Sequence, residues 1–311
     1  MIRWIPLVML LLLWGCQSGS EVDETSAPNA SVLDQLQGEP QLTARDSAME
    51  AFPVDSGRCQ YIEGAFNVPD AMEIIFGLYD KNVECSKWIC KPQELPAFAS
   101  KASGKGVVHT RAAKQYDFVS DGVQKVVLLT ATLSKDQNGW ENCHACAPIL
   151  GAAMFTRIDS AWFVEAIKKN ITEVGAWGEL PSNNLVKMGP DTYGVAFDYG
   201  YTGQGTTLGG TLLIAFGDGS IQQVADIHTT FSNEGMFMDG QQDDLAYGYE
   251  STISFQPGDN TEIFDLVVAT TGTRPADGLD GTGPVRRFQE QRTYVLHGGS
   301  YVLYDSVMIR N

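Results

Sequence analysis

After residue 106 the chain alternates between β-rich apolar runs and short clusters of glycine, aspartate, asparagine and proline. Apolar runs rich in Val, Ile, Thr and aromatic residues, bounded by such turn residues, are typical of strands. We predict strands at residues 124–133, 149–155, 162–174, 193–199, 206–216, 221–229, 247–255, 263–271, 288–296 and 301–309. The turns between them, at 217–220, 257–260 and 297–300, leave no room for crossover helices, so neighbouring strands should pair antiparallel. Residues 162–174 could equally form an amphipathic helix.

A short helix is predicted early in the folded part of the chain. Pro69 and Asp70 suit its first turn. The residues that then fall on one face at helical spacing are Met72, Ile75, Phe76 and Tyr79. We expect this face to pack against the core.

The pattern as a whole predicts a mainly β protein. We expect residues 106–311 to form an antiparallel β-rich domain, either a β-sandwich or a barrel-like sheet. Residues 46–101 should form a small N-terminal α+β region that contains Cys59, Cys85 and Cys90. Residues 101–106, with the sequence KASGKG, should link the two.

The N-terminal residues have the three parts of a secretory signal. Arg3 precedes an apolar run that reaches Leu13, and Trp14-Gly15-Cys16 follows. The run is shorter than the about 20 apolar residues that a transmembrane helix needs. A small residue directly before a cysteine, with a leucine three positions upstream, resembles the lipobox of bacterial lipoproteins. Trp14 departs from that pattern, in which a small residue is usual.

The resemblance covers about the first sixteen residues and implies a cleaved, lipid-anchored protein. Residues 1–15 would be the signal peptide, and Cys16 would carry a diacylglycerol and a further acyl chain. Gln17 stands where an aspartate often retains such lipoproteins at the inner membrane. We therefore expect the protein to be anchored in the cell envelope, at the outer membrane, and to face the periplasm or the cell surface. Residues 16–45 are rich in Ser, Glu, Asp, Pro and Gln, so beyond the anchor they should form a flexible tether.

The amino-acid composition limits the kinds of partner that the protein is expected to bind. The formal net charge is −17, which disfavours nucleic acid and anionic lipid surfaces because both need basic patches. A hydrophobic content of 43% supports a real core, and 32 glycines fit strands joined by tight turns. The membrane contact that we expect is therefore the lipid at Cys16.

The segment NCHACAP, residues 142–148, has the strongest chemical signal. Covalent haem attachment needs a histidine directly after the second cysteine, where Ala147 stands. A redox-active pair at Cys143 and Cys146 is compatible with the histidine between them. Thioredoxin-like proteins, however, place such a pair where a strand runs into a helix, and here β-rich runs flank it.

Zinc and disulfides compete for the same thiols. Cys143 and Cys146 have knuckle-like spacing, with His144 as a further candidate ligand, and Cys85 and Cys90 could supply two more thiolates. Exported proteins more often oxidise their cysteines, which favours structural disulfides.

The number of cysteines available for disulfide pairing within the chain is odd. Once the lipid-bearing cysteine is set aside, five of the six remain. Pairing Cys143 with Cys146, and Cys59 with either Cys85 or Cys90, leaves one over. That residue could be buried or could pair with another chain.

Motifs of known enzymes are not found in this sequence. The histidines form no metalloprotease pair, and we find neither a Gly-x-Ser-x-Gly elbow nor a phosphate-binding loop. We predict no catalytic residue and no cofactor, although a triad can assemble from distant positions. The remaining histidines are His109, His228 and His297. Two loops contain carboxylate and amide side chains that could bind calcium but are more often solvated. They are Asn233, Glu234, Asp239, Asp243 and Asp244 in one loop, and Asp277 and Asp280 in the other.

Four aromatic residues, Tyr193, Phe197, Tyr199 and Tyr201, alternate along one predicted strand and should share one side of it. Core packing is their expected use, with Val195 facing outward. If that side is open, the stripe would offer a platform for a sugar or a peptide.

Together these observations favour a non-enzymatic envelope lipoprotein, a β-rich domain that binds a protein, a peptide or a glycan. The alternative is an envelope enzyme, either a thiol-disulfide oxidoreductase at Cys143 and Cys146 or a hydrolase with an unrecognised triad. A wholly structural role is a third possibility. A solvent-exposed cysteine pair beside a cleft would favour the enzyme, and a pair buried under a hairpin would favour the binding module.

Overall fold

A computed structural model describes residues 61–90, 107–133, 135–136, 139–140, 143–217, 219–237, 243–260, 262–276 and 283–309. They belong to one compact unit that runs from Ser56 to Asn311. The predicted signal peptide, Cys16, the tether, Cys59 and the 101–106 linker lie outside the described residues. Among the described residues, no helix has the length and apolarity that a membrane crossing requires.

Seven strands form the first sheet, in the order β1-β9-β8-β5-β4-β3-β2, and all neighbours are antiparallel. Their bounds are β1 Tyr61–Glu63, β2 Tyr79–Asp80, β3 Cys85–Ile89, β4 Val107–Ser120, β5 Val123–Leu133, β8 Ile149–Ile158 and β9 Ala161–Glu173. The segment before the predicted linker therefore contributes three strands to the same sheet as the segment after it. A separate two-stranded ribbon is made by β6 (Lys135–Asp136) and β7 (Gly139–Trp140).

Eight strands form the second sheet, and they follow one another in chain order. Their bounds are β10 Ser182–Lys187, β11 Tyr193–Gly203, β12 Thr206–Gly217, β13 Ser220–Ser232, β14 Gly248–Gln256, β15 Asp265–Pro275, β16 Val285–His297 and β17 Ser300–Met308. Short 3₁₀ turns at Glu234–Phe237 and Asp243–Leu245 lie between β13 and β14. This sheet curls into a half-barrel, and apolar residues of β12, β13, β15 and β17 pack in one cluster inside the curl. Strands β13 and β14 pair over only three residue pairs.

Tight turns explain the antiparallel meander. Two-residue loops join β4 to β5, β11 to β12 and β16 to β17, and both residues of each loop have positive φ. This geometry matches the right-handed twist of the strands that flank it. The predicted turns at 217–220, 257–260 and 297–300 are confirmed.

Helix α1 spans Val68–Phe76. The Asn67 side chain accepts a hydrogen bond from the Asp70 backbone N–H at 3.0 Å, which caps the first turn. The predicted start of the helix is confirmed. The predicted buried face is confirmed for Met72, Ile75 and Phe76. Tyr79 instead lies in β2, because the helix ends at Gly77 with a positive φ.

Three apolar layers hold the fold together. The first lies between the two sheets, where Leu129 and Met154 meet Phe197 and Ile214. The second lies between α1 and the other face of the first sheet. The third lies within the curl of the second sheet, around residues such as Leu266. Because both faces of the first sheet are covered, its central strands are nearly continuous apolar runs.

The mainly β, antiparallel fold is confirmed. Residues 161–173 form β9, so the strand interpretation of that segment is correct and the helical alternative is wrong. The expectation that Val195 faces outward is also wrong. It has the same parity along β11 as Phe197, and both are fully buried between the sheets.

Candidate functional site

Cys143 and Cys146 are joined by a disulfide in the loop that leads into β8. The loop is fixed to the turn after β9, because the carbonyl oxygens of Cys143 and Cys146 accept the backbone N–H groups of Trp177 (3.0 Å) and Gly178 (2.7 Å). Arg111 braces this turn by donating to the Gly178 carbonyl at 2.8 Å and pairing with Glu179 at 2.6 Å. The disulfide loop is therefore a fixed surface feature.

Three aromatic rings meet at this loop. The His144 ring lies edge-on to the rings of Trp177 and Tyr201, with 5.5 Å between centroids in each case. Trp177 is 54% exposed and Tyr201 is 53% exposed, although large aromatic side chains usually bury most of their surface. Trp177 has a positive φ of 56°, a conformation that is uncommon for a bulky residue and that the two hydrogen bonds to the disulfide loop help to hold.

From Tyr201 an apolar row crosses six strands of the second sheet. Residues directly opposite each other in an antiparallel ladder lie on the same face, with side chains close enough to touch. The successive partners from β11 to β16 are Tyr201, Leu208, Phe231, Tyr249, Gly272 and Phe288. At about 4.8 Å per strand, the row extends over roughly 24 Å. We call it, with Trp177 and His144 at its first end, the aromatic row.

Ring contacts make the row continuous toward its far end. Phe231 stacks on Tyr249 at 5.9 Å and on Tyr247 at 5.0 Å, and Tyr249 meets Phe288 edge-on at 6.3 Å. Gly272 stands between Tyr249 and Phe288, where a Cβ atom would approach the Tyr249 Cβ to 2.8 Å. A glycine at this position therefore lets the two rings approach across the strand that separates them.

At the far end of the row an ion cluster surrounds Glu290, which is only 7% exposed. Its carboxylate accepts hydrogen bonds from Arg292 Nη2 at 3.0 Å and from Ser306 Oγ at 2.8 Å. Arg274 Nη1 lies 3.9 Å from the same carboxylate, and the Arg274 guanidinium lies 4.4 Å from the centroid of the Phe288 ring. Burial alone would raise the pKa of Glu290, but the two hydrogen bonds and the charges of the two arginines lower it below its ordinary value.

A cavity of about 390 Å³ opens beside this cluster inside the half-barrel. Its lining combines the apolar side chains of residues such as Ile227 and Val268 with the charged groups of Asp226, Arg274, Glu290 and Arg292. The Tyr301 hydroxyl donates to the Phe264 carbonyl at 2.7 Å, and burial raises the pKa of Tyr301, so that hydroxyl is neutral and engaged. Phe288 and Tyr249 line this cavity and also belong to the aromatic row.

Two further cavities lie elsewhere on the molecule. One of about 510 Å³ lies along β11, β12 and β14, where Thr211 Oγ1 donates to Asp198 at 2.8 Å. The other, of about 660 Å³, lies between the start of α1 and the turn after β9, and Arg111 and Glu179 line it. The turn that receives the disulfide loop thus forms one wall of this 660 Å³ cavity, which we call the cleft.

The structure brings only part of the predicted chemistry together. Cys143, His144 and Cys146 share one loop, and no thiolate is left there for zinc while the disulfide is formed. Cys85 and Cys90 are both buried in the first sheet. Within the described part of the chain, no group of three or more His, Cys, Asp or Glu side chains is placed to hold a metal ion.

The other residues singled out from the sequence lie in separate strands and loops. His109 lies in β4, His228 in β13 and His297 at the end of β16. Asn233 has a structural role: its side-chain oxygen accepts the Tyr247 backbone N–H at 2.7 Å, which closes the loop between β13 and β14. Glu234 and Asp244 are exposed, whereas the placement of Asp239, Asp277 and Asp280 and of the Asp243 side chain lies outside the described residues.

Sequence reasoning singled out two members of the aromatic row, Tyr201 in the predicted stripe and His144 between the two cysteines, and missed the rest. In the predicted stripe, Phe197 packs in the core as expected and Tyr199 reaches the Asp226 carboxylate on β13. The other members of the row come from separate segments, so their alignment follows from strand register, which the sequence does not reveal. No family model, curated protein or solved structure matches the chain.

Proposed function

We propose that the protein is a lipid-anchored binding module of the cell envelope, and that its aromatic row holds an extended glycan. The observation that supports the proposal is the row itself, which aligns exposed and partly buried rings from separate segments across six strands. The lipobox at Gly15-Cys16 supports the location.

Rigid exposed rings favour a binding role. The disulfide and the two backbone hydrogen bonds already fix the loop that carries His144 and the turn that carries Trp177. A preorganised surface loses little conformational entropy when a ligand arrives, so more of the contact energy appears as affinity. Aromatic residues are also the commonest anchors at binding surfaces.

An extended glycan fits the spacing and the charge. The apolar faces of sugar rings stack on aromatic rings, and neighbouring strands repeat at about 4.8 Å, close to the length of one sugar unit in an extended chain. With a net charge of −17, the protein repels polyanions, which favours a glycan with few charges.

The test uses the chain from Ser18 onward, which contains the whole compact unit and no lipid. Calorimetric titration with the hexasaccharides of chitin and of cellulose should give binding, and Trp177→Ala and Tyr201→Ala should each weaken it about tenfold or more. The matched control is Tyr61→Ala, which removes an exposed aromatic ring from the first sheet and should leave the affinity unchanged. Equal effects of all three changes, or binding of extended peptides with neither sugar bound, would overturn the glycan assignment.

A second candidate function is thiol-disulfide exchange at Cys143 and Cys146. Cys143 is exposed, and the turn that receives its loop forms a wall of the 660 Å³ cleft, an arrangement that favours an enzyme. Against it, Pro148 leads directly into β8, so no helix N-terminus follows the pair to stabilise a thiolate.

Redox equilibration in glutathione buffers separates the two candidates. A structural disulfide should have a reduction potential below about −300 mV, whereas an exchange catalyst should lie near −120 to −230 mV. Intact mass after alkylation reports the oxidised fraction at each potential. In the binding module, Cys143→Ser with Cys146→Ser should lower the free energy of unfolding by about 2 kcal/mol or less, because the closed loop is short.

A further inference from the structure

We propose that the 390 Å³ cavity in the half-barrel is a second ligand site, one that takes a small amphiphilic monocarboxylate. The carboxylate would pair with Arg274, and the apolar body would lie along Ile227, Val268 and Tyr301. The site adjoins the aromatic row at Phe288 and has different chemistry, so it does not depend on the glycan assignment.

The first argument is the charge around the polar end of the cavity. Arg292 and Ser306 already satisfy Glu290, at 3.0 and 2.8 Å, so that carboxylate and Arg292 form a complete pair. Asp226 also borders the cavity, and its carboxylate accepts the Tyr199 hydroxyl. Among the described residues, the carboxylate within 4.0 Å of Arg274 is that of Glu290, at 3.9 Å, and Arg292 holds this carboxylate more closely, at 3.0 Å.

The second argument is the hydrogen-bonding capacity of Arg274. A guanidinium has five N–H donors in a planar fork that suits a carboxylate. The described contacts of Arg274 are the Met308 sulfur at 3.4 Å, which is a weak acceptor, the Glu290 carboxylate at 3.9 Å and the face of the Phe288 ring. Its side chain is 27% exposed, so an incoming anion can reach it.

The third argument is that the cavity walls are amphipathic. Val268 is 3% exposed and Tyr301 is 8% exposed, and both belong to the apolar layer inside the curl. A ligand with a charged head and an apolar body would match both ends, as is usual for small-molecule sites of this size. A polyanion would instead be repelled by the net charge of −17, whereas a single carboxylate loses little.

The test compares three probes of equal length, octanoate, 1-octanol and octylammonium, by calorimetric titration of the chain from Ser18 onward. Octanoate should bind about tenfold or more tightly than 1-octanol, and octylammonium should bind more weakly than either. Arg274→Ala should abolish the preference for octanoate over 1-octanol and leave the affinity for 1-octanol unchanged. Because Arg292 and Ser306 hold Glu290 independently, this variant should remain folded, which its thermal unfolding would confirm.

The control is Arg287→Ala, which removes the same charge from an exposed position on β16 that does not line the cavity. It should leave octanoate binding unchanged. The inference is overturned if octanoate fails to bind at millimolar concentration, if 1-octanol binds as tightly, or if both arginine variants have the same effect. Since the hexasaccharide titration is separate, loss of the glycan result leaves this one intact, and the reverse is also true.

Discussion

The first sheet and the last four strands of the second sheet are built from the same antiparallel hairpins, but they are covered very differently. The first sheet lies between α1 and the second sheet, and its central strands β5 and β8 have residues buried on both faces. In β14 every second residue from Glu250 onward is exposed, and in β17 every residue except Tyr301 is exposed, so these strands are covered only on the side of the half-barrel. The doubly covered sheet provides the stable core, and the singly covered strands are free to carry polar groups and a cavity.

The largest difference should appear when a phenylalanine is truncated in each region. Phe155 in β8 is fully buried and meets the Phe66 ring edge-on at 5.1 Å, so Phe155→Ala should cost about 3–5 kcal/mol of unfolding free energy. Phe288 is only partly buried, so Phe288→Ala should cost about 1 kcal/mol and weaken hexasaccharide binding. Urea denaturation measures both costs. Equal losses of stability would show that the half-barrel is as much a core as the first sheet.

The next effect concerns the buried carboxylate of the half-barrel. Because the folded protein lowers the pKa of Glu290, the ionised form stabilises the fold above pH 4.5, the ordinary value. That contribution disappears as the pH falls through the lowered pKa. Glu290→Gln should therefore cost about 1–3 kcal/mol at neutral pH and nothing in strong acid.

Urea denaturation across this pH range measures the effect of Glu290→Gln. Glu250→Gln is the matched control, since Glu250 is exposed on β14 of the same sheet, and it should change stability little at any pH. A cost that is the same in acid and at neutral pH would contradict an ionised Glu290.

The smallest effect concerns the first sheet, in which Glu173 has a partly buried carboxyl group. Glu173 ends β9 beside the disulfide loop, and one of its carboxyl oxygens has no hydrogen-bond partner in the described structure. Burial raises the pKa of Glu173 above its ordinary value of 4.5. For a raised carboxyl pKa, stability is full below pH 4.5 and falls as the pH rises through the folded-state pKa.

Glu173→Gln removes that charge permanently. It should raise the melting temperature at neutral pH by at most a few degrees and leave it unchanged below pH 4.5. Thermal unfolding monitored at both pH values provides the measurement. A lower melting temperature at neutral pH would show that the ionised carboxylate contributes to the fold.

The sequence predicts the fold where local chemistry decides it. Turn residues such as Gly298 and Gly299 limit the loops to two residues, and short loops require antiparallel neighbours. Strand β4 was missed because a bulge near Ala112 shifts the register and breaks its alternation. Strand β10 was missed because its sequence, SNNLVK, is largely polar.

The candidate site depends on long-range geometry, which explains why the sequence reveals so little of it. Phe231 and Phe288 lie in strands that are far apart in the chain, and only the register aligns them. Glu290 lies in the charge-rich sequence VRRFQEQRTYVLH, which is typical of an exposed strand. It is buried in the half-barrel, where Arg292 and Ser306 hold its carboxylate, and the sequence gives no sign of these contacts across strands.

The chain order of the second sheet has a consequence for how the protein folds. Each of its strands pairs with its immediate predecessor, so every closure is local and costs little chain entropy. In the first sheet, β1 pairs with β9, and the partners Tyr61 and Phe163 lie about 100 positions apart. We expect the meander to form early and β1 to join last, as a three-residue strand that exchanges its amide hydrogens faster than any other part of the first sheet.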